Sequence, residues 1–329
     1  MLIAWLPPYN GFAELAAVIL VAMALDVAIG DPPGLYRVVP HPVAAIGRLI
    51  GALDARWNDA ALGDEIRRQR GVTLAIVVTA GAFALAWIVG YALGQISWGW
   101  LLEALLASAL LSFRGLYDHV RRVAEALDDG LGPAQAAVGH IVGRDPASLD
   151  AHGVARAAIE STAENFADGT VAPVFWYLVF GLPGLVAYKA INTMDSMVGY
   201  RSPRHEAFGA AAAKLDDAVN FCSSRLAALL FAAAAAVVPG ADAAGAWRAM
   251  RRDAAKHRSP NAGWPEAAVA GALGLAITGP RRYGARVVDD HWMGDGRAQA
   301  TAADVRRALA LYLAAGAALA LAVVIGAVL

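Results

Sequence analysis

The 329-residue sequence has a single cysteine, Cys222, which excludes an intramolecular disulfide and any multi-cysteine metal site. A lone thiol in an apolar stretch is expected to be a small buried side chain. Charge is also scarce: 17% of residues are Asp, Glu, Lys or Arg and 58% are hydrophobic, whereas a soluble domain carries about 25% charged residues. The 27 basic and 28 acidic residues leave a formal charge of −1, so no global field draws the chain to nucleic acid. No G-x-x-x-x-G-K-[ST] stretch is present for a P-loop, and no H-E-x-x-H for a zincin site. Gly294-Asp295-Gly296 follows no strand pattern, so it is not read as a dinucleotide fingerprint. The seven histidines do not cluster at ligand spacing. The first apolar run lacks a positive n-region and contains Asp26, so it is read as a membrane helix that stays, not as a cleaved signal.

Long apolar runs are abundant, and they predict an all-α, polytopic membrane protein with one membrane-embedded domain over 1–329. At about 1.5 Å per residue across roughly 30 Å of hydrocarbon, four runs suffice to span: 12–30, 71–94, 97–113 and 308–329. Trp87, Tyr91, Trp98 and Trp100 fall where an interfacial aromatic belt sits. The run 170–190 is broken by Gly181-Leu182-Pro183-Gly184 and is read as two short helices that dip and return, lining a cavity. Runs 226–238 and 267–278 are too short to cross and are expected to be buried or re-entrant. The loops 31–70, 114–169, 189–225 and 281–307 are basic, with Arg37 and Arg144 among their residues. The positive-inside rule places all four on the cytoplasmic side of a cell membrane. His41-Pro42 opens a short amphipathic run to Ile50, and Ser148-Leu149-Asp150 reads as a helix start.

Polar groups gather in 156–225, and their spacing places them on helix faces, because residues three and four apart are neighbours. Glu160, Glu164 and Asp168 form one stripe, with Asn165 beside it. Lys189, Asn192 and Asp195 form a second, and Asp216 or Asp217 with Asn220 a third. Glu160 stacked on Glu164 repels, which calls for a compensating cation, metal or substrate. Carboxylates with Asn at a membrane face suit Mg²⁺, a hard cation that bridges carboxylates to substrate phosphates. Asp195, Asp216 and Asp217 are the candidate metal ligands, while Lys189, Lys214 and Arg225 are candidates for phosphate oxygens. The residues alone therefore point to a membrane enzyme that handles metal and phosphate, and they do not name a substrate.

Four blocks carry a resemblance: ESTAENFADGTVAP at 160–173, AYKAINTMDSMVGY at 187–200, AAAKLDDAVN at 211–220 and SPNAGWPEAAVAGALG at 259–274. With HPVAAIGRLI at 41–50, they are similar, in the same order, to the signature blocks of the membrane-bound cobalamin-biosynthesis family CobD/CbiB, adenosylcobinamide-phosphate synthase. NFCSSRL at 220–226 departs from the family, which has Pro-Ala before the Arg. The resemblance implies an ATP- and Mg²⁺-dependent ligase. It joins (R)-1-amino-2-propanol or its O-phosphate to a propionate carboxylate of the corrinoid adenosylcobyric acid, by way of an acyl phosphate. It also implies roles for residues. Glu160 or Glu164 takes the ammonium proton, with Asn165 orienting the amine and Asp168 alongside. Asn192, Asn220, His257, Ser259 and Asn261 join the cations in holding substrate and phosphate. Phe175, Trp176, Tyr177 and Phe180 would offer a surface for the corrin ring. Partners would be the bilayer and other membrane-bound enzymes late in the cobalamin pathway. A prenyltransferase-like enzyme would want aspartate-rich motifs on two helices, and only Asp216-Asp217 approaches one. A transporter would want an inverted repeat, and none is evident.

Overall fold

The computed structural model describes residues 11–329 apart from 31, 33, 35, 37–39, 144, 201, 284, 285 and 289, so Arg37 and Arg144 lie outside the described residues. Among the described residues the chain is all-α apart from four strands of two or three residues. It opens with α1 (Phe12–Ile29), α2 (Pro42–Trp57), α3 (Asp64–Gly94) and α4 (Gly99–Ser108). Next come α5 (Phe113–Asp129), α6 (Leu131–Val138) and α7 (Ala151–Phe166), and a π-helical turn (Ala167–Val171) leads into α8 (Ala172–Val198). After α9 (Ala210–Val219), α10 (Phe221–Ala235), α11 (Ala243–Asp253) and α12 (Gly263–Leu273) come strands β1 (Ile277–Thr278), β2 (Arg281–Tyr283), β3 (Arg286–Val288) and β4 (Trp292–Met293). The closing helix is α13 (Ala302–Val328). β1 pairs antiparallel with β4, and β2 with β3.

Local chemistry sets several of these boundaries. His41 Nδ1 accepts from the Val43 N–H at 3.2 Å with Pro42 at the first helical position, so α2 starts where expected and continues past Ile50 to Trp57. Asp150 Oδ1 accepts from the Gly153 N–H at 2.6 Å and caps α7. The expected break inside 170–190 is present. Gly181 lies at φ 65°, ψ −155°, and a Cβ on Gly184 would come within 2.3 Å of the Trp176 carbonyl oxygen. Eight residues of straight helix would separate those positions by about 12 Å, so the chain has doubled back between them. Only glycine permits that backbone conformation and that approach.

Five helical segments among the described residues are long and apolar enough to cross a membrane: Phe12–Ile29, Asp64–Gly94, Gly99–Asp129, Ala151–Val198 and Ala302–Val328. A sixth results if α9 and α10 count together. The protein is an α-helical, multi-pass membrane protein. Two expectations need correction. The third run lies within the candidate span Gly99–Asp129, but it is not one helix over 97–113, because α4 ends at Ser108. Its apolar residues continue through a turn that no Gly or Pro announces. Cys222 is exposed, not buried, because it lies in the first turn of α10 away from the face formed by Ala227, Ala228 and Phe231.

The chain divides into two compact units, each discontinuous in sequence. One comprises 1–112, 172–220 and 323–329. Its core packs Leu74 and Val78 of α3 against Ala190, Met194 and Val198 of α8, with Ile50, Phe208 and Ala212. Gly71 admits the Phe208 backbone, whose carbonyl oxygen would lie 1.9 Å from a Cβ there. The other comprises 113–171 and 221–322. Four rings centre it: Phe113 stacks on Tyr312 at 4.3 Å, and Phe166 contacts Phe231 at 4.9 Å and Tyr312 at 5.4 Å. The Tyr312 hydroxyl donates to the Phe113 carbonyl at 2.8 Å, so the buried phenol is satisfied.

Candidate functional site

The first unit brings two of the three polar stripes together. Tyr188 and Asn192 are one turn apart on α8, as are Asp216 and Asn220 at the end of α9, and the four side chains meet. Asp216, 9% exposed, accepts at Oδ1 from Asn192 Nδ2 at 3.4 Å and at Oδ2 from Asn220 Nδ2 at 3.0 Å. Asn220 Oδ1 accepts from the Tyr188 hydroxyl at 2.9 Å. Asp195 and, more weakly, Asp217 add negative charge beside Asp216. Asp195 is half-buried over Gly199, where a Cβ would fall 1.9 Å from its Oδ1 and 2.7 Å from its carbonyl oxygen. Lys189 is half-buried on α8, and Lys214 is exposed on α9.

Among the described residues, no three His, Cys, Asp or Glu side chains are grouped so as to hold a metal ion. Neighbouring residues on a helix point about 100° apart, which turns Asp217 away from the face that Asp216 presents. Asp195 and Asp216 are the pair left together.

The second unit holds another buried network. Glu160 of α7 is 6% exposed, and its Oε1 accepts from the Thr278 main-chain N–H at 2.9 Å. The Thr278 hydroxyl donates to Glu266 Oε2 of α12 at 2.7 Å, and His257 Nε2 stands 3.7 Å from that oxygen. His257 Nδ1 accepts from the Ser259 N–H at 3.0 Å. The Ser259 hydroxyl oxygen accepts from the N–H groups of Asn261 and Ala262, which fixes the turn leading into α12. Asn261 Oδ1 accepts from the Ser224 hydroxyl at 3.2 Å and from Arg225 at 3.0 Å. The Arg225 guanidinium lies over the rings of Phe221 and Trp264, 3.7 Å and 4.8 Å from their centroids, and also donates to the carbonyls of Phe221 and Pro260. It therefore fastens α10 to the turn before α12 and to its first residues.

The acidic stripe on α7 passes from a buried to an exposed side chain. Glu164 is exposed where Glu160 is buried, and Asn165 donates to the Ser161 carbonyl at 2.9 Å. Asp168 lies in the π-turn, whose wider winding shifts it off the i+4 line, a distortion frequent at functional sites. The aromatic run is also not one surface. Tyr177 is fully buried and donates to Glu103 of α4 at 2.5 Å. Phe175, Trp176 and Phe180 are half-buried, with Trp176 stacked on Phe180 and donating to the Val219 carbonyl.

The model of the CobD/Cbib protein family matches residues 19–312. This chain belongs to that family. A "Cobalamin biosynthesis protein CobD" of Sinorhizobium sp is 48% identical over 306 residues, covering 91% of this chain and 94% of the relative. One of Rhodobacter capsulatus is 47% identical over 298 residues, 90% and 92% of the two chains. A third, of Brucella suis biovar 1, is 46% identical over 299 residues. No solved structure matches the chain. In this CobD/Cbib member, the side chains that sequence spacing missed are Tyr188, Glu266, Thr278 and Glu103. Glu266 carried one signal, as the only charged residue between Arg258 and Arg281. Thr278 carried none, because its partners are 118 and 12 residues away.

Proposed function

We propose that this protein acts in cobalamin biosynthesis as an ATP-dependent amide synthase. It joins (R)-1-amino-2-propanol or its O-phosphate to a propionate carboxylate of adenosylcobyric acid, giving adenosylcobinamide or its phosphate. Family membership over 19–312 supports the pathway. The observation that carries the reaction is Asp216, a buried carboxylate held by two neutral amides and flanked by Asp195 and Asp217. Mg²⁺ commonly takes one or two protein carboxylates and completes its octahedron with water and phosphate oxygens. Asp195 and Asp216 fit that demand, and an all-protein cage does not. When bound, the ion would neutralise phosphate charge as the carboxylate is activated. Asn192 and Asn220 hold the Asp216 carboxylate in place, and Lys189 and Lys214 on the same two helices supply positive charge for phosphate oxygens.

Glu160 is the proposed base, because the attacking amine is almost fully protonated near neutral pH and needs an acceptor within hydrogen-bond reach. Its burial and its anchor on Thr278 favour it over the exposed Glu164. The basic loops support a cytoplasmic side for this chemistry.

Membranes carrying the protein, supplied with adenosylcobyric acid, ATP and Mg²⁺, test the proposal when each amine is offered separately. Mass spectrometry is expected to find the corresponding amide with one amine, in step with ATP consumption. Consumption of ATP without amide from either amine would overturn it.

A further inference from the structure

Thr278 is the one non-glycine residue among the described residues with positive φ, at 64°. For a β-branched side chain that conformation is a genuine outlier. The next residue, Gly279, also has positive φ, at 71°, and a Cβ there would lie 2.5 Å from the Trp292 ring. The backbone of this turn is thus fixed under Trp292, which also pairs with Thr278 across β1 and β4. A glycine at 278 would take the same backbone without strain and would keep the N–H bond to Glu160. What it would lose is the hydroxyl, and that hydroxyl donates to Glu266, 2% exposed. Strain retained at a buried residue that ties two carboxylates together points to a role for the tie.

We infer that Thr278 is a positioning residue. Its N–H fixes Glu160 of α7 and its hydroxyl fixes Glu266 of α12, so that two carboxylates from separate helices are held as one pair with His257 behind Glu266. The inference rests on the reading that Glu160 serves amide formation, and it makes Glu266, not Glu164, the acidic partner of Glu160. Arg156, one turn before Glu160, lies with its guanidinium 5.8 Å from the ring centroid of Trp292 in β4 and donates to the carbonyl of Ala298 beyond that strand at 2.6 Å. The α7 face is thereby registered against the β1–β4 pair at two points.

The test uses full-length protein in membranes and in detergent. Thr278→Val keeps the shape and removes the donor; it is expected to lower kcat on the order of 10- to 100-fold, with KM for ATP within about twofold. Thr278→Ser restores the donor and is expected within about threefold of wild type. Wild-type kcat in Thr278→Val, or an equal loss in Thr278→Ser, overturns the positioning role. A readout independent of activity is the thermal midpoint of Thr278→Val alone and in a Glu266→Met background. The tie predicts a fall at least halved in the second background, and an equal fall in both refutes it. Should wild-type membranes form no amide, the amide-synthesis reading fails while the unfolding comparison still decides whether Thr278 holds Glu266.

Discussion

Asp216→Asn separates charge from packing at the first network. The carboxylate takes one amide N–H on each oxygen, from Asn192 and Asn220. Asparagine keeps the shape but replaces one acceptor by a donor, so one of the two amides faces another N–H. Leaving a buried donor so placed costs about 1–3 kcal/mol. Turnover is expected to fall much further, about 10²–10³-fold, equivalent to about 2.7–4 kcal/mol of transition-state stabilisation. Asn220→Ala is the control. It preserves the Asp216 charge, strips one donor from it and deprives the Tyr188 hydroxyl of its acceptor at 2.9 Å. Its stability cost is again about 1–3 kcal/mol, with turnover of the folded fraction within about tenfold of wild type. Thermal unfolding in detergent and ATP-dependent amide formation, measured on one preparation, give both quantities. Wild-type turnover in Asp216→Asn, or a greater turnover loss in Asn220→Ala, would refute the reasoning.

Mg²⁺ should raise the thermal midpoint of the wild type by an amount equivalent to about 2.7 kcal/mol at 100 times its Kd, and leave Asp216→Asn unmoved; equal shifts would assign the ion elsewhere. Gly184→Ala forces a Cβ to 2.3 Å from the Trp176 carbonyl oxygen and to 2.7 Å from Phe180 Cβ; the folded yield should collapse, and a normal yield would show that the chain does not double back there. Burial pushes the Asp253 carboxyl up, but Arg252, the Gly294 N–H and Lys256 outweigh it and hold its pKa below the ordinary value. Its contribution to stability is therefore complete above pH ~3.9 and is lost as pH falls through the lower folded value. Asp253→Asn should flatten that acid limb in a pH series of unfolding midpoints, and an unchanged limb would remove the assignment. Cys222 is exposed, so a maleimide should label the native protein in detergent without denaturant, and labelling only after unfolding would contradict its place on α10.

Features governed by adjacent residues were legible in the sequence. The reversal at Gly181–Gly184 follows from a backbone only glycine adopts. The caps at His41 and Asp150 follow from side chains that reach N–H groups two or three residues on. The third stripe held because Asp216 and Asn220 sit within one regular helix. The first stripe departs at Asp168 because the π-turn changes the winding after Phe166, while Glu160 and Glu164, one turn apart within α7, differ in exposure because tertiary packing covers only the first. The end of α4 at Ser108 has no Gly or Pro to announce it. Thr278 and Glu266 became visible only when contacts across 118 residues placed them beside Glu160.

Three buried aspartates, Asp216, Asp253 and Asp304, differ in what holds them. Asp253 is held by Arg252 and Lys256, and Asp304 by Arg297, Arg307 and Thr301. Each is 3% exposed or less, and each has its charge answered by cations of the same chain, the ordinary state of a buried carboxylate. Asp216 is nearly as buried but is held by the amides of Asn192 and Asn220, while its charged neighbours, Asp195 and Asp217, repel it. Neutral donors fix the direction of a carboxylate without cancelling its charge. A protein that pairs Asp253 and Asp304 with arginine had the same means available at 216. That arrangement fits the proposal that a cation arrives with the substrate at Asp216.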